Sequence, residues 1–284
     1  WSVTGVQTCA RSLVNPLPLT IWTVWWIFLV ALSGLLGNFW QWISPWYGLI
    51  TLARHLGFKP LLSLHPRTAQ WIGVASYLAI YAFILADPAP SDPSRLAAFA
   101  SVYWITTFLA ALGFGRRWLL RSEPVGVLMQ VLSRMGIVAK RGSGISLGFW
   151  GWQVLKRRPP NSVMSLFVLV LLGSGSFDGL NETFWWLAQL GVNPLEFPGR
   201  SALVTPTLIG LFAANATIIA AFALTLRLGM AFAPSETSLG TVFCALAPSL
   251  LPIALGYHIA HYLTSFLVDG QYALKAINDP LQTG

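Results

Sequence analysis

"LPLTIWTVWWIFLVALSGLL", residues 17 to 36, runs for twenty positions without a charged side chain. A helix needs roughly 20 mainly apolar residues to cross a bilayer, and a run of that length satisfies its own backbone hydrogen bonds. Five more runs of this kind follow, at about 69–86, 96–114, 163–190, 201–226 and 239–267. None alternates apolar with polar residues as a β-barrel strand would. The fold class is therefore all-α, a polytopic membrane helix bundle with about six transmembrane helices. Composition agrees: 55% of the 284 residues are hydrophobic and 9% charged, too little polar surface for a water-soluble globule.

The spaces between the runs set an expected orientation. Residues 116–158 carry Arg116, Arg117, Arg121, Arg134, Lys140, Arg141, Lys156, Arg157 and Arg158 against one acid, Glu123, an excess as large as the net charge of +8 of the whole chain. The segment between the first two runs holds Arg54, Lys59 and Arg67, whereas "DPAPSDPS" at 87–94 holds Asp87 and Asp92. By the positive-inside rule the 116–158 loop is cytoplasmic, and both chain ends lie outside. Anionic lipid is the partner expected for the basic loop. Nucleic acid is not, because the charge flanks a membrane and no nucleic-acid motif accompanies it. Within the loop, Leu128, Val131, Leu132 and Met135 share one helical face, which predicts a short helix lying on the inner membrane surface.

The first dozen residues, "WSVTGVQTCARS", have neither the charged nor the apolar region of a signal peptide. "VTGVQTCA" resembles the translation of a sequencing-library adapter, so 1–12 are expected to be a non-native scar, and the chain the middle of a longer membrane protein. With Cys9 discounted, Cys244 is expected to be a small buried hydrophobe. "GNFWQWISPWYG" at 37–48 crowds Trp40, Trp42, Trp46 and Tyr47 around Pro45. It reads as an interfacial anchor with a re-entry turn, or as an aromatic wall for an apolar small molecule. His55 and His65 are expected to be solvated or lipid-facing. There is no phosphate-binding glycine loop, nucleophile elbow or H-E-x-x-H, and "GSGIS" at 142–146 lacks the lysine of a P-loop.

Polar residues inside apolar runs carry the functional reading. The fourth run continues into "GSGSFDGLNETFWWLAQL", where Asp178 and Glu182 are four apart and share a helical face with Ser174, Asn181 standing beside them. An aspartate near the bilayer centre costs roughly 2.5 to 3.5 kcal/mol, so this face needs a partner cation or a proton. The sixth run has Pro248 and Pro252, each expected to kink it, then "GYHIAHYL" with His258 and His261, and Asp269 just beyond. Counted along their runs, these histidines and acids fall in the same half of the membrane. Asp178, His258, His261 and Glu182 thus make a plausible set for zinc or another divalent ion. Asn215, Asn181 and Asp269 are placed to orient such ligands from behind. Equally open is a reading in which the histidines and acids pair with each other or with backbone freed by proline, as structure or as a proton relay.

"GNFWQWISPW", "SGSFDGLNETFWW", "GVNPLEFPGRSA" and "APSLLPIALGYHIAHYL" with "FLVDGQYA" resemble bacterial multi-pass fenitrothion hydrolases, from about residue 34 to the end. That resemblance implies a bacterial inner (cytoplasmic) membrane and hydrolysis of an organophosphorus or related apolar ester. A metal on His258, His261 and Asp178 would activate water, with Asp178 and Glu182 as the catalytic carboxylates and Glu182 as base. Two other classes compete. In a metal-ion or proton-coupled transporter, Pro248 and Pro252 hinge a gate and Arg227 is the exit-side charge. In a non-catalytic subunit, the polar residues meet a partner's helices.

Overall fold

A computed structural model describes residues 15–141, 144–193, 200–233 and 236–278. Residues 1–12, expected to be foreign, lie outside this set, as does Cys9. Six helices are long and apolar enough to span a membrane: Pro16–Leu35, Pro66–Ala86, Pro93–Phe114, Ser162–Asn181, Arg200–Phe232 and Leu239–Ala276. They are the first to sixth spans below, and the chain is a multi-pass membrane protein. Proline opens the second and third spans, where its fixed φ suits the first turn and its missing N–H had no partner to lose. Asp92 caps the third by accepting from the N–H groups of Ser94 and Arg95, both at 3.0 Å. In the turn between these spans Arg95 grips Asp87 through two nitrogens, and this hydrogen bonding holds the Asp87 carboxyl below the usual carboxylate range.

Three boundaries differ from those expected. The fourth span stops at Asn181, because the Thr183 hydroxyl caps a separate short helix, Phe184–Gln189, by accepting from the Trp186 N–H at 3.2 Å. The fifth reaches Phe232 and the sixth Ala276, where no proline ends the helix and the sequence stays helix-compatible. Only one of the two prolines breaks the sixth span. Pro248 sits in a 3-10 turn, Ala247–Leu250, whereas Pro252 is the second residue of the helix Leu251–Asn278, where no N–H is needed.

The fourth span is the axis of the bundle. Its most apolar window is 61% buried, against 17% for the third span, which leaves most of its surface to lipid. The fourth packs against the second, fifth and sixth spans, and the first lies along the sixth.

The segments flanking the third span do not lie on a surface. Tyr103 and Trp104 are the eleventh and twelfth of its 22 residues, hence its midpoint. After the first span the chain turns at Gly37 and climbs back through Trp40–Ile43, so that Trp46 packs edge-on to Tyr103 with ring centroids 5.4 Å apart. The helix Pro45–His55 then descends to Arg54, beside Gly115 at the end of the third span. A second hairpin starts at that end: Arg116–Ser122 rises, the chain turns at Glu123, and Pro124–Leu132 returns. Its rise runs so close to the second span that a Cβ on Gly73 would sit 2.9 Å from the Arg121 carbonyl oxygen.

Glu123 joins the two hairpin tips. It is 2% exposed and accepts from Trp40 Nε1 at 2.7 Å, from the Tyr103 hydroxyl, and from the N–H groups of Val125 and Gly126 at 2.8 and 2.7 Å. A buried carboxylate with four donors is satisfied without a cation. This overturns the expectation of a helix on the membrane surface: Leu128, Val131, Leu132 and Met135 are buried, because Glu123 ties the start of the helix into the bundle. Trp40 and Trp46 are likewise core residues, while Trp42 stays exposed. Beyond the second hairpin, Val138–Arg141 and Gly144–Leu147 form a small antiparallel ribbon at the basic end. Gln153 holds it by donating to the carbonyls of Ser133, Gly136 and Val138.

Replacing Glu123 by Ala leaves the Trp40 and Tyr103 donors buried and unpaired, and should destabilise the protein by about 3 kcal/mol or more. Thermal unfolding in detergent should show Glu123→Ala well below wild type and Glu123→Gln between them. Equal midpoints for all three would contradict the joint.

Candidate functional site

The site is made by a close approach of the fourth and sixth spans. "GSFDG" at 175–179 places two glycines one turn apart. Tyr257 lies across both: a Cβ on Gly175 would be 3.4 Å from its ring, and one on Gly179 would overlap its hydroxyl. Between those glycines Asp178 projects toward the sixth span and is 6% exposed.

Asp178 meets two partners through one oxygen. Its Oδ2 accepts from the Tyr262 hydroxyl and lies 3.3 Å from His261 Nε2. The Tyr77 and Tyr81 rings lie next to each other, with centroids 5.2 Å apart, and border one small cavity together with Tyr262 and Asp178. Tyr262, Asp178 and His261 are thus joined directly, and Tyr81 and Tyr77 continue the row of groups with exchangeable protons along the cavity. Tyr77 is the twelfth of the 21 residues of its span, and Asp178 the seventeenth of 20 in its own, so the row runs from mid-bundle toward the end opposite the basic segment. There the His261 side chain keeps a quarter of its surface exposed. At the other end the row stops in apolar contacts, with Phe167 edge-on to Tyr77 and ring centroids 5.0 Å apart.

His258 lies apart from the carboxylate. Its ring sits edge-on between Trp26 and Tyr262, with centroids 6.3 and 5.0 Å away, against the backbone of Trp26 and Ile27. That part of the first span, Leu19–Leu29, is a π-helix, a form frequent at functional sites. His258 Nε2 is buried with no hydrogen-bond partner among the described residues. A cavity of about 20 Å³ touches His258, Asp178 and the hydroxyl-bearing rings of Tyr77, Tyr81, Tyr257 and Tyr262. A water needs roughly 10–15 Å³ on this measure, so the space suits a water and not an organic substrate.

Of the residues singled out from sequence, Asp178 and His261 are in contact and His258 borders the same cavity. Glu182, the residue after the fourth helix, is exposed, although its charge reaches His261. Asn215 serves a different contact: its Nδ2 donates to Ser174 Oγ at 3.1 Å and to the Leu211 carbonyl at 2.8 Å, locking the fifth span to the fourth at Gly173. Asn181 Nδ2 is buried and unpartnered, and Asp269 stands eight residues beyond His261, about two turns away. His55, His65 and Arg227 are exposed, and Cys244 is a partly buried free thiol.

Among the described residues no three His, Cys, Asp or Glu side chains converge on one point. Asp178 Oδ2 and His261 Nε2, the atoms a zinc ion would take, face each other, and the Tyr262 ring lies against both imidazoles.

The sequence reading passed over the tyrosines. Tyr257 and Tyr262 flank the histidines in "GYHIAHYL", and Tyr77 and Tyr81 share a face of the second span at i, i+4 spacing. Removing the Tyr262 hydroxyl takes a charge-assisted bond from Asp178, so Tyr262→Phe should cost about 1.5–3 kcal/mol in unfolding measurements. Tyr272→Phe, at an exposed position, is the neutral control. No protein-family model, curated protein or solved structure matches this chain.

Proposed function

We propose that the chain is a proton-coupled membrane transporter that takes up protons at His261 and Asp178 and passes them along Tyr262, Tyr81 and Tyr77. The observation that carries this reading is the row from the partly exposed His261 through Asp178 to Tyr262, continued to mid-bundle by Tyr81 and Tyr77 around a water-sized cavity and ending against an apolar plug. A proton arriving on His261 makes a neutral ion pair with Asp178, which removes the cost of a lone carboxylate in a low-dielectric bundle. A tyrosine hydroxyl can both donate and accept, so Tyr262 and Tyr81 can each hand on a proton by rotating it, through a water in the cavity they share. Beyond Tyr77 the apolar side chains of Phe167, Leu128 and Leu132 block further transfer. Release on the other side then requires a second conformation, and the 3-10 turn at Ala247–Leu250 is the natural hinge in the sixth span. With the basic segment cytoplasmic, the port faces away from the cytoplasm.

In sealed proteoliposomes carrying a pH-sensitive dye, the wild-type chain should move protons in response to a gradient. Asp178→Asn and His261→Gln should each lower the flux at least tenfold while remaining folded. Wild-type flux in both variants would end this reading.

A second reading is supported by the quarter-exposed surface of His261. An imidazole held by a carboxylate is the form of a general base, and here it could activate water for hydrolysis of an organophosphorus or related ester, with Glu182 nearby. Release of nitrophenol from a phosphoester without any gradient, lost in His261→Gln, would favour it over transport. A divalent ion held by His261 and Asp178 would need further ligands, for which His258 would have to turn toward it. Metal analysis of the purified protein tests that directly.

A further inference from the structure

A cavity of about 550 Å³ opens at the basic end, between the segment entering the second span, the end of the third span and the rising arm of the second hairpin. Four guanidinium groups line it: Arg54, Arg116, Arg117 and Arg121. Local geometry brings them together. Gly115, at φ +78°, turns the chain sharply out of the third span, so Arg116 and Arg117 start the next helix at the cavity's edge, with Arg121 one turn on from Arg117. Arg54 arrives from the end of the first hairpin, its Nη2 2.9 Å from where a Cβ on Gly115 would be.

None of the four is in an ion pair among the described residues. Glu123, the single acid of the 116–158 segment, is buried and already accepts four hydrogen bonds. Arg116 rests on the Tyr47 ring, 5.2 Å from its centroid, which leaves its N–H edge available. Four cations facing one space repel unless an anion joins them. The remaining wall is apolar, with Phe114, Trp118 and Leu120. At its margin Leu62, which is part of the wall, and Phe58 and Leu61 beside it are 58, 64 and 88% exposed. A soluble anion would find no use for that apolar margin, whereas acyl chains would cover it.

We propose that this cavity binds the phosphate of an anionic phospholipid, with its acyl chains lying over Leu61 and Leu62. The guanidinium forks give bidentate contacts to phosphate oxygens. The site is independent of the row from His261 to Tyr77, which lies toward the opposite end of the bundle.

The test uses the full chain purified in detergent, titrated with phosphatidylglycerol or phosphatidylcholine and read by native mass spectrometry. Phosphatidylglycerol should bind and phosphatidylcholine should not. Arg54→Gln and Arg117→Gln, both at exposed positions, should each weaken binding about fivefold and reduce its salt dependence, whereas Lys140→Gln, outside the cavity, should not. Equal binding of the two lipids, or unchanged affinity in both arginine variants, would overturn the proposal. So would displacement of phosphatidylglycerol by millimolar inorganic phosphate, which would make the ligand a free anion.

Discussion

A carboxylate withdrawn from water has to be surrounded by donors, and this bundle is organised around two that are. Glu123 is held by an indole, a phenol and two backbone N–H groups, and Asp178 by a phenol and an imidazole. The difference between the two donor sets separates structure from chemistry. Around Glu123 every acceptor position is taken, and the site is sealed. Around Asp178 one partner is a titratable ring that reaches solvent, and the other leads to further hydroxyls. The first carboxylate fixes how the chain packs, and the second is free to exchange.

Small residues give the second site its form. Gly175 and Gly179 let Tyr257 lie flat on the fourth span, which draws the sixth span close enough for His261 and Tyr262 to reach Asp178. On the opposite side Gly173 does the same for Asn215 and the fifth span. The fourth span therefore has a close neighbour on each side, and this is why it is the most buried of the six. Without a hydrophobic drive between helices in lipid, close backbone approach and buried hydrogen bonds are what hold such an axis.

The spans were legible in the sequence because hydrophobic length is a one-dimensional signal that needs no partner. Asp178 and His261 were legible because an ionisable group in an apolar run stands out by its cost. What could not be read was pairing. Tyrosines look ordinary in a membrane sequence, and only the packing of the second and sixth spans around the fourth brings Tyr77, Tyr81 and Tyr262 to one cavity beside Asp178. The helix from Pro124 to Leu132 was misplaced for the same reason: an apolar face reads identically whether it meets lipid or protein. Which it meets depended on Trp40 and Tyr103, respectively 83 and 20 residues from Glu123.

The joint at Glu123 also orders the protein's birth. The first hairpin leaves the ribosome more than sixty residues before its acceptor, with Trp40 and the turn around Ser44 and Pro45 already committed to an apolar setting. It can settle at mid-bundle depth only once the third span and Glu123 have arrived. Insertion of this chain is therefore not a sequence of independent crossings. The Trp40 donor stays without its acceptor until a segment 83 residues later has been made, which couples the packing of the two hairpins.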